Sequence, residues 1–194
     1  MALSAEICSS ALVALGDKPI HSLEEQQDRA ITCAAVYDTV RDALLRAHPW
    51  NCCTRRVILS PLAEEPAFDF KYQFSRPADW LRTIQVGHQH CPIPYRSEGR
   101  RILAHVDALP LVYIWRNEDE SSWDSLLVEL MELAIKARIA YAITKSSTER
   151  EVALNEYQQR LKQAKAIDGQ DDPPEEFAQE TDLLEARRGW RGLR

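Results

Sequence analysis

A long helical pattern runs to about Ala47 and stops at His48-Pro49-Trp50-Asn51. Proline lacks a backbone N–H, and its ring clashes with the preceding turn of a helix. Pro49 therefore ends the helix, and His48, as the residue before proline, is pushed out of the helical region. Further prolines at 61, 66, 77, 92, 94 and 110 punctuate the next stretch, which excludes a long helix there. These prolines divide the chain into helical flanks and a middle of another kind.

The first flank holds two helices. Residues 4–15 read as one, with Ser4 as N-cap, Gly16 at the left-handed C-terminal position and Ile7, Ala11, Leu12 and Leu15 on the apolar face. Asp17-Lys18-Pro19 is a turn. Ser22-Leu23-Glu24-Glu25 has the capping-box pattern, with Ser22 as N-cap of a helix to about Ala47. Ala30, Cys33, Ala34, Tyr37, Val40, Leu44 and Ala47 recur along it at helical spacing.

In the middle, Arg56–Leu59, Lys71–Phe74, Leu81–Val86, Arg101–Ala104 and Leu111–Trp115 read as short strands of a small antiparallel sheet. Pro92 and Pro94 belong at a strand edge or in a loop. Helical periodicity returns from Ser122 to about Thr144, with Leu126, Leu127, Leu130, Leu133, Ala134, Ala137, Ala140 and Tyr141 on a wide apolar face. A second capping box, Thr148 to Glu151, opens a helix to about Ile167 that carries Val152, Tyr157, Leu161 and Ala164 inward.

From Asp168 the composition changes. Eight acidic residues precede Arg187-Arg188-Gly189-Trp190-Arg191, and four arginines close the chain, so this segment carries −4 of the net charge of −6. The expected fold is α+β: a bundle of about four helices from residues 1–52 and 118–167, with a small, mainly antiparallel sheet of residues 53–117 inserted between helices 2 and 3. Residues 168–194 read as an extended C-terminal arm.

The acidic balance argues against broad phosphate neutralisation of nucleic acid. Five cysteines, an odd number with Cys52 and Cys53 adjacent, do not make a disulfide framework and suit synthesis in a reducing cytoplasm. The N-terminus lacks the basic-then-apolar layout of a signal peptide, and no apolar run is long enough to span a membrane.

No catalytic motif of comparable strength to the His48–Asn51 stop is present: there is no phosphate-binding glycine loop, nucleophile elbow or zinc-protease helix. His48, Cys52, Cys53, His88, His90 and Cys91 invite a zinc reading, but their spacing fits no standard pattern, and adjacent cysteines in a strand point opposite ways. No metal and no cofactor are assigned. In the His48–Asn51 stop, Trp50 reads as a packing anchor and Asn51 as a turn residue bonding backbone. Glu118, Asp119, Glu120 and Asp124 are the densest carboxylate cluster of the body, and they suit a helix N-terminus, where acids are favoured. No catalytic residue is nominated. The candidate partner-binding residues are two basic pairs expected on strands, Arg55-Arg56 and Arg100-Arg101, and the end group Arg187, Arg188, Trp190 and Arg191. Arginine forks grip carboxylates, and Arg and Trp are the types that anchor interfaces.

An ordered series of residues carries a resemblance. It runs through Ile7-Cys8, Ala11-Leu12, Leu15-Gly16, Ile20, Ser22–Glu25, Ala30, Cys33, Tyr37-Asp38, Arg41 and His48–Asn51. It continues through Pro66, Phe68, Pro77–Asp79, Leu81-Arg82, Glu98–Arg100, Ile102-Leu103 and Tyr113-Ile114 to Ala134, Ala140, Tyr157 and Leu161. In this order they resemble the tail tubular protein A family of short-tailed, T7-like phages, over roughly residues 3–168. The resemblance implies a structural virion protein of the tail, made in the host cytoplasm and assembled as a dodecameric ring between the portal and the tail nozzle, with DNA passing through the lumen. It also raises an alternative, since peptidoglycan hydrolysis has been ascribed to some such adaptors. That chemistry would need two carboxylates roughly 5–9 Å apart across a cleft.

Overall fold

A computed structural model describes residues 2–171. The fold is α+β, with four α-helices and seven strands among the described residues. Helices α1 (Ala2–Val13), α2 (Asp28–Arg46), α3 (Ser125–Thr144) and α4 (Ser147–Asp171) flank the strand region in the chain. The strands are β1 (Thr54–Leu59), β2 (Tyr72–Ser75), β3 (Trp80–His88), β4 (Cys91–Pro92), β5 (Tyr95–Glu98), β6 (Arg101–Ala104) and β7 (Leu109–Trp115).

The expected single sheet is two sheets, both antiparallel. One has the order β1-β7-β3-β4 and the other β2-β6-β5. The sequence reading missed β4 and β5, whose residues are all exposed. Strands with no buried face carry no alternating apolar signal. Phe74, Val86, Ile102, Ala104, Leu109, Leu111 and Tyr113 form one buried cluster shared by the two sheets. Ile114 and Leu81 instead join the helical core, together with Leu44, Trp50, Leu127, Leu130 and Met131. Strand β7 is thus buried on both faces, which explains its nearly unbroken apolar run. Pro110 is tolerated near its start because the ladder to β3 ends at Leu111.

Several helix boundaries differ from the sequence expectation. Helix α1 begins at Ala2, so Ser4 lies inside it. Gly16 does take the left-handed conformation, at φ 80°, and Asp17 N–H closes back on Leu12. The Ser22–Glu25 box forms: Glu25 Oε1 accepts from the N–H groups of His21 (2.7 Å) and Ser22 (3.1 Å), and Ser22 Oγ accepts from Glu24 N–H. It closes only a local turn, and α2 starts at Asp28 after Gln27. A capping box satisfies donors but does not oblige the next residues to continue helically. Helix α3 begins at Ser125 rather than Ser122, and Asp124 caps it by accepting from Leu126 N–H. Thr148 lies within α4, and Ser146 Oγ accepts from Glu149 N–H instead.

Lys145, left-handed at φ 57°, ends α3, and the chain enters α4 two residues later. So tight a connection makes α3 and α4 an antiparallel hairpin. On α4, Ala153, not Val152, faces the core, and the buried side continues through Tyr157, Leu161 and Ala164. The helix passes Ile167 and reaches Asp171, so Asp168 belongs to the body rather than to an arm.

Candidate functional site

The His48–Asn51 stop builds the joint between helices and sheets. Trp50 is 2% exposed, and its indole N–H donates at 3.1 Å to Leu44 O, which also accepts from Ala47 N–H at the end of α2. His48 lies edge-on to the Trp50 ring, with centroids 4.7 Å apart. His48 Nε2 meets Asp168 Oδ2 at 2.9 Å. Asn51 contributes longer contacts at 3.4 Å, its N–H to Asp168 Oδ1 and its side-chain amide to Asp168 O. The motif therefore clasps the last turns of α4. Asn51 does bond backbone, as its residue type suggests, but the backbone belongs to a distant helix. Sequence reading missed Asp168 because composition placed it in the acidic tail. The signal was present: Tyr157, Leu161, Ala164 and Asp168 fall on one helical face.

Cys52 and Cys53 follow at the same joint, with sulfurs 3.6 Å apart. They lie in a short 3₁₀ turn, Asn51–Cys53, and not in a strand. The hydrogen bond from Cys53 lowers the Cys52 thiol to about 7, and the backbone near Asp124 assists. The same bond, with burial, pushes Cys53 up. His88, His90 and Cys91 sit in the β3–β4 hairpin, where His88 pairs with Cys91. Among the described residues, no three His, Cys, Asp or Glu side chains gather as a metal site.

The carboxylate cluster is occupied structurally. Asp119 accepts from Ser121 N–H, Asp124 caps α3, and Glu120 accepts from Tyr37 O–H at 2.9 Å. Burial, then the Glu120 charge, pushes the Tyr37 phenol up. Glu118 lies 3.5 Å from Arg41, whose guanidinium is also 3.1 Å from both Asp38 and Asp42. Arg41 is only 7% exposed, and Arg116 pairs with the other oxygen of Asp42 at 2.8 Å. This ion network ties α2 to the segment leaving β7.

The basic candidates divide. Arg55 and Arg56 both lie on β1, as expected, but Arg55 is committed within the chain: it is 2.7 Å from Asp79, and its guanidinium lies 3.3 Å from the Trp115 ring centre. Asp79 also accepts from Tyr113 O–H at 3.1 Å. Arg56 is exposed and in no ion pair among the described residues. Arg100 is not on a strand. It occupies the two-residue turn with Gly99, φ 51°, between β5 and β6, and Arg101 opens β6 opposite Ser75 and Glu98. Arg187, Arg188, Trp190 and Arg191 lie outside the described residues.

A groove of about 650 Å³ opens between α2 and α4, over α3. Val40, Ala43 and Leu44 form one wall, Leu154 and Tyr157 the other, and Ala134 and Ala137 the floor. Alanines leave the floor deep, where larger side chains would have filled it. Tyr141, expected on the core face of α3, lies along this groove 54% exposed.

A scan against models of protein families gives no match, and a search of curated proteins gives none either. Among the described residues, no helix is long and apolar enough to cross a membrane.

Proposed function

We propose that the chain is a structural head-to-tail adaptor of a short-tailed phage, one subunit of a ring that joins the portal to the tail nozzle. The observation that carries this reading is the exposure of large apolar side chains on two unlike parts of the fold. Ile58 and Phe68, 70% and 76% exposed, belong to the strand region, whereas Val152, 55% exposed, and Tyr141 belong to the helices. A closed head-to-tail ring requires two different surfaces on every copy, one meeting the other on the neighbour. Apolar side chains left in water on both parts suit that requirement.

The ordered resemblance to tail tubular proteins supplies the identity of the partners: further copies of the chain, the portal, the nozzle and transiting DNA. Arg56 and Arg100, exposed and outside every ion pair of the described residues, are available to carboxylates of a neighbour. The net charge of −6 suits a lumen along which DNA slides without adhering. The use of Glu118, Asp119, Glu120 and Asp124 in caps and side-chain contacts supports a role in assembly rather than hydrolysis.

Electron microscopy of the full chain mixed with its portal tests the reading. A ring of added density stacked on the portal is the expected result. An intact portal without added density would overturn it, and loss of turbidity from purified cell walls would then favour the hydrolase.

A further inference from the structure

We propose that the groove between α2 and α4 is the docking site for residues 175–184 of the same chain. The groove is apolar on its walls and floor, and two of its lining residues, Arg138 and Arg150, are exposed. Neither arginine has an ion-pair partner among the described residues. A ligand for such a groove needs apolar side chains spaced among carboxylates. Glu175-Glu176-Phe177-Ala178-Gln179-Glu180-Thr181-Asp182-Leu183-Leu184 has that composition: three large apolar residues, four acids and no base.

Reach and tethering select the occupant. Helix α4 ends at Asp171, and Leu154 on the groove wall lies 17 residues earlier. At 1.5 Å per helical residue that is about 26 Å. The chain from Asp171 to Leu183 can span up to ~40 Å when extended. Pro173-Pro174, directly beyond α4, disfavours continuation of the helix. A short tether holds the segment near its groove at millimolar effective concentration, well above that of a second copy in dilute solution. The arrangement would cover the groove.

Photo-cross-linking of the full chain tests this. With p-benzoylphenylalanine at position 184, irradiation of the dilute protein should give a product of monomer mass. Peptide mapping should place its cross-links within residues 134–142 or 150–157. Leu154→Glu, on an exposed wall position, should abolish that product with an unchanged circular dichroism spectrum. Leu183→Glu, which leaves the body untouched, should do the same. Cross-links elsewhere, a product of dimer mass, no product, or a yield unaffected by both variants would each overturn the proposal.

Discussion

At the scale of single residues, His48, Trp50, Asn51, Cys52 and Cys53 gather at one joint between helices and sheets. Trp50, His48 and Asn51 were legible as a helix stop and an anchor, because proline and tryptophan act through local sterics and size. The inward face of α4 that carries Asp168 was legible as well, but its pairing with His48 was not, since no local rule links positions so far apart in sequence. Cys52 shows the same division. Its neighbour Cys53 is visible in the sequence, but the 3₁₀ turn that brings the sulfurs to 3.6 Å is not. A thiol lowered to about 7 is half ionised near neutrality, so alkylation of Cys52 should rise steeply through that pH. Cys53→Ala removes the donor that stabilises the thiolate and should move the midpoint upward. Mass spectrometry of iodoacetamide-labelled peptides over a pH series reads both, and an unmoved midpoint would discount the hydrogen bond as the cause.

At the scale of elements, most of each helix was readable from its period, although Val152 and Tyr141, expected inward, are exposed, and every helix start was displaced. The period reflects burial of one face over several turns, whereas a start depends on which of several nearby polar side chains reaches a free N–H. Ser4, Ser22 and Thr148 were all plausible caps, but Asp124 caps α3 and α2 has no side-chain cap. Strands with a buried face were legible, and β4 and β5, exposed throughout, were not. Helix α4 depends on the His48–Asp168 clasp for its last turns. Asp168→Ala removes a contact whose two side chains are 18% and 16% exposed, and should cost about 1–3 kcal/mol. Hydrogen exchange should accelerate in residues 164–171 while the β7 amides keep their protection. Equal acceleration in both would mean that the clasp supports the whole fold rather than one helix end.

At the scale of the whole molecule, the strands meet the helical core through Leu81 of β3 and Ile114 of β7, and exposed apolar side chains remain on both parts. If these are assembly surfaces, Ile58→Lys should weaken stacking on the portal without lowering the melting temperature, since a 70% exposed side chain contributes little to the core. Negative-stain particle counts and a thermal melt on the same preparation would check this, and a lowered melting temperature would place Ile58 in the folding core instead. The sequence by itself determined the α+β class, the insertion of strands between helices 2 and 3, and the apolar faces, because proline geometry and hydrophobic period act within a few residues. Only the tertiary structure decided that the strands form two sheets, that Arg55 is held by Asp79 and Trp115 while Arg56 stays exposed, and that alanines of α3 floor an open groove. Each of these is a contact between segments distant in the chain, and such contacts are set by how faces pack in space rather than by any local pattern.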